Sequence, residues 1–480
     1  MICASIFEAD IEAAIRAARE AERRRADLIE IRFDLMEHIP EDLSPFEELE
    51  VPTIATLRTE DQGGRFSGTT EQRLAFFKRA AEHFDLIDLE LGSGIIPDLR
   101  GRGARMICSV HRFDPGSSVN EILDLMEAED CDLVKGAFMV DSISDLHALL
   151  VASRVLMERG REFILIGMGE LGTITRIRTC ELGCAFTYAS LEKGKEAAPG
   201  QLDVLTLRSL SRGMITGITG HPLSHSLSPE MHQAAFEHLG ISGIYLRFPT
   251  DSGELDKLME IVREMRIRGI NVTIPHKEAI IPLLDDFDDS VKKTGAVNTV
   301  VNKNGRLVGM NTDVDGVAGT FANAGISPKG KRALVLGAGG AAKTCCSFLI
   351  ENGARLSVVN RTPERAERLA QIFPGTEVLS EEGALNAEFD IVVNCTPLGM
   401  RGFPTELPID PGIFREGQFV MDTIYNPPCT RFLAEAEKRG AFTRSGIEML
   451  IYQAISAFEV WTGLSPPYEV MAKALREELE

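Results

Sequence analysis

The chain has 480 residues, with 51 Lys plus Arg against 72 Asp plus Glu, for a net charge of −21. That acidic excess excludes a general nucleic-acid binder, whose affinity comes mostly from basic groups on phosphates, and it opposes an anionic membrane surface as partner. It leaves open a small anionic substrate, since a local cluster of Arg or Lys can act inside an acidic shell.

At roughly 100–200 residues per domain, this length predicts two to four domains. An apolar share of 44% with 26% charged residues is that of a packed globular chain. No apolar run approaches the roughly 18 residues of a membrane helix. In the opening MICASIFEAD, Glu8 and Asp10 interrupt the apolar start and no basic segment precedes it. The expectation is therefore no signal peptide and a cytoplasmic location. The nine cysteines include no CxxC spacing. They are expected to be reduced thiols, with neither a disulfide framework nor a structural zinc site.

Up to about residue 205, short apolar runs alternate with charged amphipathic stretches. The candidate strands begin ICASIF at 2, LIEIRFD at 28, PTIATLR at 52 and LIDLELG at 86. RMICSVH at 105, LVKGAFM at 133, FILIGMG at 163 and CAFTYAS at 184 follow. Eight β-then-α units predict parallel strands with crossover helices, and hence a (β/α)8 barrel over 1–208. An open doubly wound sheet is the structural alternative.

Residues i and i+2 share one face of a strand, which puts Glu30, Arg32 and Asp34 together. Ionisable groups inside a barrel are costly to desolvate unless they pair or meet a ligand. Arg58 is expected to end the third strand and His111 the fifth, at the rim where such folds carry their sites. Lys135 lies within the sixth among apolar or small neighbours, where desolvation and nearby Arg charges favour a neutral amine, a Schiff-base nucleophile towards a ketone. The alternative is a lysine salt-bridged across the barrel.

Together, EIR at 30–32, LRTEDQGG at 57–64, SVHRFD at 109–114, VKGAF at 134–138, MGELGTITR at 168–176 and APGQ at 198–201 resemble type I 3-dehydroquinate dehydratase. The resemblance implies that Lys135 forms an imine with the substrate ketone. It implies His111 as base for the C2 proton and then as acid for the departing C1 hydroxyl. Arg176 with Arg58 would hold the carboxylate, and Glu30, Arg32 and Gln201 the ring hydroxyls. Two positions depart from the family pattern. Gln62 stands where the family has a Glu that partners the histidine; an amide can orient an imidazole without stabilising imidazolium, and Glu60 or Asp61 are possible substitutes. Ala197 stands where a Ser is common.

A joint, SLSRGMITG at 209–217, leads to a smaller α/β segment. The chain then restarts with KRALVLGAGGAAKTCCSFLIENGARLSVVNRT, a strand, glycine turn, helix and strand. Gly337, Ala338, Gly339, Gly340 and Ala341 form the turn, where glycines let a pyrophosphate approach the helix N-terminus. The next strand ends in Asn360, Arg361 and Thr362, with no acid for the ribose hydroxyls, which favours NADP over NAD. Arg361 as an ordinary surface arginine is the alternative. Histidines 221, 225, 232 and 238 do not read as a metal site, because Pro222 breaks the helix that an i, i+4 ligand pair needs.

HPLSHSLSP, NVTIPHK, GAVNTV, NTDVDG, NCTPLGM, DTIYNPPCT and GIEMLIYQA, in that order, closely resemble shikimate dehydrogenase. The resemblance implies a substrate domain over 214–312 completed by 446–480, and a Rossmann NADP domain over 313–445. It implies Ser224 and Ser226 for the substrate carboxylate, Thr273, Asn298 and Gln453 for ring hydroxyls, and Lys277 with Asp313 as the catalytic pair. Tyr425 and Thr396 would line the nicotinamide side, and Gly446 the cofactor. The expected substrates are 3-dehydroquinate, 3-dehydroshikimate and shikimate, with no nucleic acid, membrane or metal partner. Two rivals stay open: a barrel that only binds or scaffolds, and an NAD-preferring quinate/shikimate dehydrogenase.

Overall fold

The computed structural model describes residues 1–127, 131–196, 198–223 and 226–479. Its contacts divide the chain into two compact units, Met1–Ile215 with Ser242–Ile267, and Thr216–Ile241 with Arg268–Glu480.

The first unit holds eight parallel strands: β1 (Ile2–Ile6), β2 (Leu28–Arg32), β3 (Thr53–Thr56), β4 (Leu86–Glu90), β5 (Arg105–Arg112), β6 (Leu133–Met139), β7 (Phe163–Met168) and β8 (Thr187–Ser190). Their hydrogen-bonded order is β7-β6-β5-β4-β3-β2-β1-β8. Ala185 N–H donates to Phe163 O at 2.9 Å across the remaining gap, so the barrel is nearly closed. All eight apolar runs form these strands, and the doubly wound alternative falls away. The strands are short and rich in β-branched and apolar residues, and capped helices such as Thr70–His83 (capping box Thr69/Gln72) and Ile143–Glu158 (Ser142/Asp145) connect them. Every second residue points inward. Cys3, Leu28, Ile54, Leu86, Ile107 and Leu133 form an apolar floor, and the next inward residue of each strand builds the site described below.

The next strands, β9 (Met214–Gly220), β10 (Gly243–Pro249), β11 (Gly269–Val272), β12 (Asp286–Phe287), β13 (Thr299–Lys303) and β14 (Arg306–Met310), make a sheet ordered β10-β9-β11-β13-β14-β12. A second sheet runs β17-β16-β15-β18-β19-β20. Its strands are β15 (Arg332–Leu336), β16 (Arg355–Val359), β17 (Glu377–Val378), β18 (Ile391–Asn394), β19 (Phe419–Asp422) and β20 (Phe442–Arg444), paired in parallel. This is the doubly wound order of a dinucleotide-binding sheet, with the chain reversing direction between β15 and β18. The C-terminal segment is two helices, Gly446–Thr462 and Tyr468–Leu479, separated at Gly463, whose φ is +74°. The last helix packs on the helix Ser228–His238.

One expectation changes. Cys108 on β5 and Cys131 are joined as a disulfide, with Cα atoms 6.1 Å apart, whereas free thiols were expected throughout. The spacing of 23 residues carries no signal, because the parallel pairing of β5 with β6 creates the proximity. His232 is a core residue, stacked on Phe458 and set against Trp461. His225 lies outside the described residues. Among the described residues, no helix is long and apolar enough to cross a membrane.

Burial holds the His232 pKa at about 3, only partly offset by a hydrogen bond with Asn271. The unfolded chain takes up a proton near pH 6.5 that the native state refuses until about pH 3. This residue's contribution is therefore complete above pH 6.5 and is lost as pH falls towards 3, at about 1.4 kcal/mol per pH unit. In chemical denaturation between pH 7 and 4, His232→Phe is expected to flatten the decline. An unchanged slope would refute the assignment.

Candidate active sites

In the barrel, strand register brings together groups far apart in sequence. Glu30 accepts from Ser5 Oγ at 2.7 Å and Thr56 Oγ1 at 2.9 Å. Asp88 accepts from Ser109 Oγ at 2.5 Å and from Lys135 Nζ at 2.9 Å, and lies 3.0 Å from Arg58 Nη2. Arg58 Nη1 donates to Ser109 Oγ at 2.6 Å. Lys135 Nζ also lies 3.9 Å from Glu30 Oε1 and 4.0 Å from the centre of the Tyr188 ring. Burial opposes ionisation of Asp88, but the Arg58 and Lys135 charges and the Ser109 hydroxyl outweigh it, holding the carboxyl well below its usual range.

The salt bridge across the barrel thus exists, to Asp88, and the expectation of an unaccompanied amine is corrected. The bridge does not close the site. Ser109 stands beside Lys135 in the β5–β6 register and His111 beside Ala137, so the imidazole lies on the same face one level towards the C-terminal rim. Burial, then the Arg58 and Lys135 charges, hold the His111 pKa well below 6.5. The ring is neutral at neutral pH, the state a base requires. Among the described residues its buried Nδ1 has no hydrogen-bond partner.

Several sequence expectations shift in detail. Gln62 Oε1 accepts the backbone N–H of His111 at 3.0 Å, so it fixes the strand end and not the ring. Asp61 is engaged with Thr59 and Gln62 and does not replace a carboxylate at His111. Arg32 pairs with Asp34 through two contacts of 2.9 and 2.8 Å, not with Glu30. Arg58 lies two residues beyond β3 and is engaged by Asp88 and Ser109. Arg176 differs from both. Its guanidinium is buried, bonds the Tyr188 carbonyl at 3.4 Å, has no partner for Nε among the described residues, and has its pKa lowered to about 10 by burial. A buried cation without a carboxylate suits an anionic ligand. Gln201 is buried in the turn after Ala198, while Ala197 lies outside the described residues.

In the second unit, Lys277 Nζ lies 2.5 Å from Asp313 Oδ2. Asp313 opens the helix Asp313–Asn323, and Asn298 immediately precedes β13. Asn298 Nδ2 donates to Asp313 Oδ1 at 2.8 Å and to Gln453 Oε1 at 3.4 Å, so four expected residues form one cluster. Thr273 continues β11, its N–H bound to Thr219 O at 2.9 Å. The Ser226 hydroxyl accepts from Ser228 N at 3.5 Å, and Ser224 lies outside the described residues. Tyr425 is positioned by a buried frame. Asp422 accepts from Asn394 Nδ2 at 3.0 Å, Thr430 Oγ1 at 2.6 Å and Ile424 N at 3.1 Å, while Asn394 Oδ1 accepts from Thr396 N at 2.9 Å.

The glycine turn fits a dinucleotide. Gly337 has φ +109°, which favours glycine, and a Cβ there would lie 3.1 Å from the Cys395 carbonyl. At Gly339 and Gly340 a Cβ would meet nothing within 4 Å, so open space lies over the turn. The helix Gly340–Glu351 starts with no side-chain cap, leaving its first N–H groups to face that space beside Ala338 and Ala341. Beyond β16, Asn360 Nδ2 holds Thr362 O at 2.8 Å and Arg361 is exposed. At Gly446 a Cβ would strike the Thr423 carbonyl at 2.3 Å, so only glycine lets that helix start there.

Comparison with known proteins covers both units. The type I 3-dehydroquinase family matches residues 2–215, and the shikimate dehydrogenase substrate-binding domain matches 218–300. The shikimate/quinate 5-dehydrogenase family matches 321–398, and the shikimate 5'-dehydrogenase C-terminal domain 446–476. The chain is 32% identical over 512 aligned positions to the chloroplastic bifunctional 3-dehydroquinate dehydratase/shikimate dehydrogenase of Arabidopsis thaliana, covering 98% of this chain and 83% of that protein. The chain belongs to the bifunctional 3-dehydroquinate dehydratase/shikimate dehydrogenase family. It is also 43% identical over 279 residues to the NADP(+) shikimate dehydrogenase of Moorella thermoacetica, covering 56% of this chain and 94% of that one. The Thermus thermophilus shikimate 5-dehydrogenase solved with NADP(H) and shikimate matches at TM-score 0.52 and 38% identity, covering 55% of this chain and 99% of that chain.

For this bifunctional family member, reasoning from residues passed over Asp88, Ser109, Tyr188, Asn394 and Asp422. A signal was present for the first two: Asp88 and Glu90 in LIDLE, and Ser109 and His111 in SVH, repeat the i, i+2 polar alternation of Glu30 and Arg32. Asn394 and Asp422 end neighbouring strands of a sheet whose pairing is invisible locally.

Proposed function

We propose that the barrel dehydrates 3-dehydroquinate to 3-dehydroshikimate and that the second unit reduces 3-dehydroshikimate to shikimate with NADPH. The observation that carries the reading is the pairing of two catalytic lysines with buried or half-buried carboxylates, Lys135 with Asp88 and Lys277 with Asp313.

In the first step the Lys135 amine adds to the substrate ketone and water leaves, giving an imine. Its protonated form keeps the positive charge the ammonium carried, so Asp88 serves as counter-charge before and after. His111, neutral, takes the C2 proton, which the imine acidifies. The enamine then expels the C1 hydroxyl, which leaves as water with the proton His111 returns. Hydrolysis of the imine frees Lys135, and the net change is the loss of one water. Arg176 holds the substrate carboxylate; Glu30, Arg32 and Gln201 face ring hydroxyls.

In the second step, Ser224 and Ser226 hold the carboxylate, and Thr273, Asn298 and Gln453 the ring hydroxyls. A dinucleotide bound at the glycine turn would supply the hydride that reduces the ketone. Lys277 gives its proton to the developing alkoxide oxygen, and Asp313 orients the ammonium. Gly337, Ala338, Gly339, Gly340 and Ala341 receive the pyrophosphate, Arg361 with Asn360 and Thr362 the 2′-phosphate, and Thr396, Tyr425 and Gly446 border the nicotinamide side. The division into 1–208, 214–312 with 446–480, and 313–445 belongs to this reading. So does a cytoplasmic location. Feeding dehydroquinate with NADPH and observing no shikimate would refute it.

Arg361→Ala tests cofactor choice. Removing a guanidinium from a 2′-phosphate is expected to raise KM for NADPH roughly tenfold to a hundredfold, with KM for NADH nearly unchanged. Equal changes for both cofactors would make Arg361 an ordinary surface residue.

A further inference from the structure

We infer that Thr299 is a positioning residue for the Lys277–Asp313 pair, acting through Asn298; the inference rests on the dehydrogenase reading above. Asn298 Oδ1 accepts from the Thr312 N–H at 2.7 Å, from Thr299 Oγ1 at 2.9 Å and from Thr312 Oγ1 at 3.1 Å. Those donors fix which way the amide faces. A flipped amide would set Nδ2 against the Thr312 N–H, donor against donor, and Oδ1 against the Asp313 carboxylate, acceptor against anion. In the observed orientation Nδ2 donates to Asp313 Oδ1 at 2.8 Å, which leaves Oδ2 for Lys277 at 2.5 Å.

Thr299 makes this arrangement directional. Its Oγ1 accepts from Asn271 Nδ2 at 3.1 Å and donates its single hydrogen to Asn298 Oδ1 at 2.9 Å, with the Thr312 hydroxyl 3.0 Å away as its other polar neighbour. Thr299 is fully buried, and Asn298 and Asn271 are nearly so, and a buried polar network that loses a donor is costly. Valine has the same shape but no donor, and it would remove one of the contacts that hold the amide. The amide would then be held by the Thr312 donors alone, and the carboxylate that aims Lys277 at the ketone oxygen would be positioned less firmly. Displacements of this size cost large factors in rate without touching distant binding contacts.

The test is steady-state kinetics on the full chain carrying Thr299→Val. Expected is a kcat fall of roughly tenfold to a hundredfold for 3-dehydroshikimate reduction, with KM for NADPH within about twofold of wild type. A larger primary isotope effect with 4-deuterated NADPH is expected, as is recovery of most of the rate in Thr299→Ser. A kcat within about twofold of wild type would overturn the inference, and so would a loss that serine does not restore or that raises KM for NADPH in proportion. If Thr299→Val does not fold, Thr299→Ala, which removes the same hydroxyl with less bulk, is judged by the same outcomes. A wild-type chain that fails to reduce 3-dehydroshikimate would instead sink the dehydrogenase reading itself.

Discussion

Lys135→Ala is expected to lower conversion of 3-dehydroquinate by roughly 10⁴-fold or more, about 5 kcal/mol in the barrier, while the same protein still reduces added 3-dehydroshikimate. The size follows from the chemistry. Without the amine there is no imine, and without the imine no electron sink acidifies the C2 proton for a base as weak as a buried, neutral imidazole. The fold should survive, because Arg58 remains 3.0 Å from Asp88 and Ser109 still donates to it, so the carboxylate keeps a cation and a hydrogen bond. Borohydride added during turnover should leave a mass adduct on the peptide containing Lys135 in wild type and none in the variant. An adduct elsewhere, or dehydration within tenfold of wild type, would return Lys135 to a purely structural ion pair and favour a barrel that only binds.

Lys277→Ala is expected to stop the second reaction, with kcat down about 10³-fold, near 4 kcal/mol, and KM for NADPH little changed. Fed dehydroquinate and NADPH, this variant should accumulate 3-dehydroshikimate, which Lys135→Ala never forms. The contrast separates the two sites within one chain. Asp313 would lose its ammonium but keep the Asn298 amide at 2.8 Å, so the cluster should hold its shape. A variant that still reduces the ketone within tenfold of wild type would show that the proton comes from another group.

Much of the architecture was legible along the chain, because it depends on short-range periodicity. Each barrel strand is an apolar run of a few residues, each is followed by an amphipathic stretch, and the alternation that sends Glu30, Ser109 and Lys135 inward is a property of the extended backbone. The glycine turn announced its own geometry, since the +109° φ of Gly337 and the open space over Gly339 and Gly340 follow from having no Cβ. Segment ends were less legible. Asp34 leaves β2 for a short 3-10 helix and turns back on Arg32, where an extended reading put all three polar residues on one face.

What the sequence by itself determined is therefore which side chains could carry chemistry and at which strand ends they stand. Which partner each one meets was decided only by tertiary structure. Lys135 and Asp88 are 47 residues apart, Arg58 and Ser109 51, and Asn298 and Gln453 155. Those separations are bridged by parallel pairing and helix packing, whose register no local pattern encodes. The same holds for Gln62, which the family resemblance sends towards the imidazole and the folded chain gives to the backbone N–H of His111. A buried charge is least costly with a counter-charge at hydrogen-bonding distance. The barrel therefore assigned its cations by proximity, Arg58 and Lys135 to Asp88 and Arg32 to Asp34, leaving Arg176 without a carboxylate.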